Sequence, residues 1–221
     1  MKPLIIISPS VNKSEEEITL SRAYCRAINF AGGIPLVTDY SNVDDLIKTA
    51  DGLLLAGGGD IDPELTGDIP DLNTQGQISK ARDDFEYNLL KKAIKEDMPV
   101  LGICRGMQVI SALCGAHIIQ HIEGHRQNTE RNKTFHEVDI VKDTLLHEII
   151  GKEKIYVNSF HHQAVGEGFN GIISGTCNGI IEAIELDKNK FVLGVQWHPE
   201  HLCGIDQQFR IFKSFVSAAE K

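Results

Sequence analysis

The chain has 221 residues, 42% of them hydrophobic and 24% charged, proportions of a folded globular protein and not of a disordered, collagenous or coiled-coil one. Lysine and arginine total 22 against 31 aspartates and glutamates, for a formal net charge of −9. With no basic run to offset that balance, neither nucleic acid nor an anionic membrane surface is an expected partner.

The longest apolar runs, such as residues 4–7 and 52–56, fall far short of the ~20 residues that cross a bilayer. The first is broken by Ser8-Pro9, unlike a signal peptide. Five cysteines (Cys25, Cys104, Cys114, Cys177 and Cys203) form an odd set without short paired spacing. They argue against a disulfide framework and for a reduced, cytoplasmic setting. The length suits one domain over residues 1–221.

Residues 4–8 are a continuous apolar run, as expected of a strand covered on both faces. Ser14-Glu15-Glu16-Glu17 reads as a capping box opening a helix that runs to about residue 31 and stops at Gly32-Gly33. Strands are expected over 34–37, 52–56 and 100–103, and helices over 42–50, 81–96 and 105–113. A long polar loop is expected at about 57–79. This alternation implies right-handed crossovers and a mostly parallel sheet with helices on both sides, a three-layer αβα domain. After residue 113 the pattern changes to short β segments at 117–122, 137–141, 155–158, 172–176, 181–186 and 191–196, most separated by Gly, Asn or Asp turns. A helical turn at 145–150 and an amphipathic helix at 209–219 complete the expected elements.

Gly102-Ile103-Cys104-Arg105-Gly106 sits where the buried strand meets a helix. It is the Gly-x-nucleophile-x-Gly pattern with cysteine at its centre. A sharp strand-to-helix turn leaves no room for side chains beside the middle residue, which is why glycines flank it. The helix N-terminus next to the sulfur favours thiolate over thiol. A thiolate that attacks an amide also needs an acid for the departing amine, and histidine suits that task near neutral pH. In Gly194-Val195-Gln196-Trp197-His198-Pro199-Glu200, His198 ends an apolar strand. Glu200 follows two residues later, on the same side of an extended chain. Pro199 favours extended geometry at His198. A carboxylate on one ring nitrogen would fix the tautomer and stabilise the imidazolium.

These two segments, with Gly57-Gly58-Gly59-Asp60-Ile61-Asp62-Pro63, Arg82-Asp83-Asp84-Phe85-Glu86 and Val157-Asn158-Ser159-Phe160-His161-His162-Gln163-Ala164-Val165 between them, make the chain resemble the class I glutamine amidotransferase-like family along nearly its whole length. Within that flavodoxin-like family it most resembles the stand-alone gamma-glutamyl hydrolases of the gamma-glutamyl-gamma-aminobutyrate hydrolase type. The resemblance implies hydrolysis of a small gamma-glutamyl amide through a glutamyl thioester, with Cys104 as nucleophile and His198 and Glu200 as base and orienter. It also implies backbone amides of Gly58 and Arg105 as the oxyanion hole, and Gln108 and the Gln163-Ala164 backbone at the gamma-glutamyl head group. No cofactor or metal is expected. A homo-oligomer such as a dimer is compatible with it.

The alternative within the same chemistry is a glutaminase subunit that feeds ammonia to a separate synthase. A third reading is a non-catalytic binding protein on the same scaffold. Arg82, Asp83 and Glu86 match a motif of these hydrolases, but on residue type alone they read as a solvated helix face or intrahelical pairs. Cys114 stands where relatives tend to have glycine. The loop 123–134 does not name the leaving amine. His117, His121 and His125, spaced by four, would share a face if helical, yet Ile118, Ile119 and Ile122 among them fit a strand and loop at least as well, and no metal site is expected there.

Overall fold

The computed structural model describes residues 1–12 and 14–221. In chain order the strands are β1 (Leu4–Ser8), β2 (Ser10–Val11), β3 (Ile18–Thr19), β4 (Ile34–Val37), β5 (Gly52–Leu55), β6 (Val100–Ile103), β7 (Ile118–Ile119), β8 (His136–Ile140), β9 (Lys154–Val157), β10 (Ala164–Val165), β11 (Ile172–Cys177), β12 (Ile180–Glu185) and β13 (Val192–Val195). The helices are α1 (Arg22–Ala31), α2 (Val43–Thr49), α3 (Lys80–Lys95), α4 (Arg105–Leu113), α5 (Leu145–Ile150) and α6 (Asp206–Ala218). Short 3-10 turns lie at Pro63–Leu65 and Pro199–His201.

The main sheet runs in the order β4-β1-β5-β6-β13-β12-β11-β8-β9. The strands from β4 to β13 are parallel to their neighbours, and those beyond β13 are antiparallel. This is the expected α/β architecture, with a parallel core extended by the hairpins of the C-terminal half.

Alternate residues of the parallel strands feed two separate cores, as a pleat with period two requires. Ile5, Ile7, Leu54, Leu101, Ile103, Leu193 and Val195 pack with Tyr24, Ile28, Phe212 and Phe215 of α1 and α6. Ile6, Leu53, Leu55, Val100 and Val192 pack on the other face with Phe85, Leu89, Met107 and Ile110 of α3 and α4. Both faces are therefore dry, which explains why these strands read as unbroken apolar runs.

The expected helix from Ser14 begins instead at Arg22, after the β2–β3 hairpin. The side chain of Asn12 accepts the N–H groups of Glu16 and Glu17 at 3.1 and 3.3 Å, the amides a cap at Ser14 would have held. Glu15 turns at φ 59°, outside helical geometry. The cap is Ser21, whose side chain accepts from Ala23 N–H, and α1 ends as expected at Gly32 with φ 100°. At the other end α6 opens at Asp206, earlier than the expected 209.

One close approach sets the site. A Cβ on Gly106 would lie 2.1 Å from the Leu55 carbonyl oxygen, and one on Gly102 would lie 2.7 Å from the Gly106 backbone. The start of α4 is thereby pressed against β5 and β6 with only hydrogens between. Gly106→Ala is expected to destabilise the protein by at least about 1–3 kcal/mol, since the atom it meets is backbone and cannot swing away. Chemical denaturation checks this, and an unchanged midpoint would contradict the packing described.

Candidate active site

Cys104 occupies the bend between β6 and α4 at φ 54° and ψ −107°, a region that non-glycine residues rarely enter. Its N–H donates to the Val195 carbonyl at 2.8 Å, so the neighbouring strand β13 holds the strained residue in place. The same strand leads into Trp197 and His198. Trp197 is fully buried, and its indole N–H donates to Gln208 Oε1 of α6 at 2.8 Å. The Asn158 side chain grips the His198 backbone from both sides, accepting its N–H at 2.8 Å and donating to its carbonyl at 3.0 Å. The imidazole is thus fixed on the chain from two directions.

His198 Nδ1 lies 2.7 Å from Glu200 Oε1. Strand alternation predicts this carboxylate on the same side as the imidazole. The structure brings it round by the 3-10 turn at Pro199–His201, which His198 enters at φ −114° and ψ 80°. With Nδ1 occupied, Nε2 is the nitrogen left for the sulfur. A methyl group added at Gly57 would sit 2.9 Å from His198 Cε1 and 3.5 Å from Cys104 Cβ, so the sulfur and the imidazole flank the same glycine. Burial works against charge on this ring, yet the Glu200 carboxylate and the Cys104 sulfur hold its pKa up at about 10. Glu200 is buried too, but the facing imidazole keeps its carboxyl below the ordinary range. Tyr24, which nothing in the sequence marks as a site residue, accepts the Gly57 N–H at 3.0 Å. Burial, with Glu200 and Cys104 nearby, pushes its phenol well above the usual value, so it remains protonated.

The glycine loop and the start of α4 are joined beneath the site by a buried ionic quartet. Arg105 donates to Glu86 and Asp83, Arg82 donates to Glu86 at 2.7 Å, and all four side chains are 3% exposed or less. Arg82 also donates to the carbonyls of Ala56 and Gly57, at 2.8 and 3.2 Å, and Asp83 accepts the Asp62 N–H at 3.0 Å. A Cβ on Gly58 would lie 2.1 Å from a guanidinium nitrogen of Arg82. Of the two readings their spacing on α3 allows, the intrahelical pair holds for Arg82 and Glu86, whereas the solvated face does not, because Arg105 reaches in from α4 and all four side chains are buried. Two guanidiniums and two carboxylates cancel, which makes their burial tolerable. Burial opposes charge on Glu86, but Arg105 and Arg82 keep its carboxyl below the ordinary range.

Above this base lies a cleft of about 580 Å³, lined among others by Tyr24, Gly58, Cys104, Arg105, Gln108, Gln163, His198 and Glu200. Gln108 donates to Gln196 Oε1 at 3.3 Å and is buried. Ala164 lies in β10, paired with Ile119, and stands behind the wall rather than in it. Among the described residues, Gly58 N–H has no intramolecular acceptor. Arg105 N–H opens α4, where the first amides lack helical partners.

The loop 123–134 contributes Arg126 and Arg131 to the cleft, the latter 4.7 Å from the Phe160 ring centroid. Of the three histidines spaced by four, His117 pairs with Asp68 and His121 lies beside His162, while His125 turns towards His136 and His161. They do not converge. Cys114 caps the far end of α4. Among the described residues, no helix is long and apolar enough to cross a membrane.

A strained cysteine, a buried imidazole–carboxylate pair and a glycine loop on a parallel sheet define a glutamine amidotransferase-like hydrolase. The chain belongs to the peptidase C26 family, whose model matches residues 5–200. It is 34% identical to a Rickettsia prowazekii protein named for its likeness to glutamine amidotransferases, over 99% of this chain and 98% of that one. It is 27% identical to the gamma-glutamyl-gamma-aminobutyrate hydrolase PuuD of Escherichia coli K12, over 91% of this chain and 87% of that one. Among solved structures, the CTPS glutaminase domain of Trypanosoma brucei superposes with a TM-score of 0.67 at 15% identity, covering 98% of this chain and 93% of that domain.

Two measurements test this geometry. His198 should titrate by NMR near the value of about 10 that its partners impose. The imidazolium then persists through neutral pH and is lost only as pH rises through that value. Glu200→Gln should move the titration down towards the ordinary ~6.5. A wild-type His198 that titrates near ~6.5 would contradict the arrangement. Glu86→Gln leaves buried guanidinium charge uncompensated and should cost roughly 3–5 kcal/mol in urea unfolding; a loss below about 1 kcal/mol, the scale of a surface pair, would contradict the buried quartet.

Proposed function

We propose that the protein hydrolyses gamma-glutamyl amides of the gamma-glutamyl-gamma-aminobutyrate type, working without a synthase partner. The observation that carries this is the convergence of Cys104, His198 and Glu200 on one cleft, with the Gly58 amide free of an acceptor among the described residues. Cys104 thiolate attacks the side-chain carbonyl carbon, and the oxyanion is received by the N–H groups of Gly58 and Arg105. Donors of this kind are worth roughly 2.7–4 kcal/mol each. As the C–N bond breaks, His198 Nε2–H protonates the leaving amine and a glutamyl thioester remains. Water then attacks that thioester, His198 takes its proton, the C–S bond breaks and glutamate leaves. Glu200 holds the ring in one tautomer throughout.

Three features support the finer reading. Gln108 and Gln163 line the cleft beside the elbow, where a gamma-glutamyl head group would rest. Arg126 and Arg131 lie on the cleft wall, so a leaving amine that carries its own carboxylate finds a cationic partner there despite the chain's net charge of −9. The E. coli relative's name supports the same substrate class.

Purified protein, offered gamma-glutamyl-gamma-aminobutyrate, neutral gamma-glutamyl amides and free glutamine, should release glutamate fastest from the first. Cys104→Ala should abolish turnover. Arg126→Ala or Arg131→Ala should raise KM for the acidic substrate about 10-fold, with much less effect on neutral amides. An isolated chain silent on every amide until a synthase is supplied would overturn this reading in favour of a glutaminase subunit.

A further inference from the structure

Behind the cleft wall lies a second imidazole–carboxylate contact, outside the chemistry above. Glu182 of β12 is fully buried, and neither of its carboxylate oxygens has an aligned hydrogen-bond partner among the described residues. A buried carboxylate is costly unless N–H groups or a counter-charge face it. Imidazoles do so here: His136 Nε2 stands 3.3 Å from Glu182 Oε1, His161 Nε2 3.5 Å and His125 Nε2 3.8 Å. Burial alone would raise the carboxyl's pKa, yet His136 and His161 bring it down to about 2, so Glu182 is an anion.

The rings differ in what their other side meets. His161 Nδ1 lies 2.9 Å from the Gln163 carbonyl. A carbonyl only accepts, so Nδ1 carries a proton. On the opposite side Nε2 faces the carboxylate, where a proton is attracted and a lone pair repelled. With an acceptor on each side the ring is held as an imidazolium, and Glu182 is its counter-charge. Burial and the nearby His161 push the pKa of His125 below its ordinary range although Glu182 pulls the other way, so that ring stays neutral. His136 needs only a neutral Nε2–H to serve the same oxygen. Burial and the Glu182 charge push the Cys177 thiol up, and it adds no charge.

The carbonyl that His161 holds belongs to a cleft residue, since Gln163 and His161 both line the cleft. The Gln163 side chain donates to Gln120 Oε1 at 3.0 Å, which anchors that residue a second time. Gln108 Nε2 reaches the same backbone oxygen only at 3.5 Å, longer than the usual hydrogen bond. A carbonyl oxygen has two lone pairs. His161 fills one, and the loose Gln108 contact leaves the other to a stronger donor. An ammonium is such a donor, and a gamma-glutamyl group carries one at the end remote from its reacting amide.

We infer that Glu182 and His161 are positioning residues for the substrate: the buried carboxylate fixes the proton on His161, and His161 fixes the Gln163 carbonyl where it receives the α-ammonium of a gamma-glutamyl group. The pair repeats the division of labour between Glu200 and His198, with a carbonyl in place of the sulfur. Its effect falls on ligand binding, because the ammonium lies far from the bond that breaks. The inference rests on a gamma-glutamyl ligand, which the hydrolase and glutaminase readings share, and not on the amine released.

The test measures binding to the full chain carrying Cys104→Ala, which removes turnover. Isothermal titration uses gamma-glutamyl-gamma-aminobutyrate and its desamino analogue, in which hydrogen replaces the α-ammonium. Adding Glu182→Gln should raise Kd for the first about 10-fold and leave Kd for the second within about 2-fold, since only the ammonium meets the Gln163 carbonyl. In 15N-resolved NMR in neutral buffer, His161 should carry protons on both ring nitrogens, and Glu182→Gln should remove one. An equal loss for both ligands marks a merely structural Glu182 and overturns the inference, as does no loss for either. If the Glu182 variant fails to fold, the Cys104→Ala chain decides: a neutral His161 ring, or a desamino analogue bound as tightly as the full ligand, overturns it. A wild-type chain without turnover, beside the expected split in binding, strikes the hydrolase reading alone; binding of neither ligand strikes both.

Discussion

The bend at Cys104 is the constraint on which the rest of the site depends. An L-residue at φ 54° and ψ −107° is held against a cost of roughly 1–3 kcal/mol, and only surrounding contacts can keep it there. β13 supplies one of them through the Val195 carbonyl, and the hydrogens of Gly102 and Gly106 allow the others by letting α4 approach β5. Relaxing the bend would swing the sulfur away from the imidazole and the first amide of α4 away from the glycine loop. Strain is thus located where the proposed chemistry needs a fixed atom.

A second level of organisation lies underneath. Arg82, Asp83, Glu86 and Arg105 connect three chain segments that share no hydrogen-bonded strand pair at the site: the glycine loop, α3 and the start of α4. The two amides proposed to receive the oxyanion belong to the first and last of these. A salt-bridged quartet is a directional joint, and an apolar patch of similar volume would allow the loop to slide. The side chain of Arg105 therefore fixes the frame, while its own N–H belongs to the cleft.

How far the sequence reveals all this depends on the range of the interaction concerned. The elbow is legible because its steric rule is local: glycines flank the residue that must turn. The parallel strands are legible because both of their faces are dry. The Ser14 helix start misleads, because a capping-box pattern competes with a longer-range device, here the side chain of Asn12 holding the amides of the β2–β3 turn. Charges at i, i+1 and i+4 on α3 look alike whether solvated or buried, until Arg105 is seen to reach them. Asn158, Tyr24 and Trp197 carry no mark of their roles, since each acts on a backbone or side chain distant in sequence. The approach of His125, His136 and His161 to Glu182 is hidden for the same reason, since the four residues lie on different strands and loops.

The most direct measurement of the central claim is acid-quench peptide mapping during turnover of a gamma-glutamyl amide. The account predicts a transient glutamyl mass on the peptide that carries Cys104, formed and lost at rates consistent with turnover. A glutamyl adduct on Cys25, Cys114, Cys177 or Cys203, or turnover during which no cysteine is acylated, would contradict it.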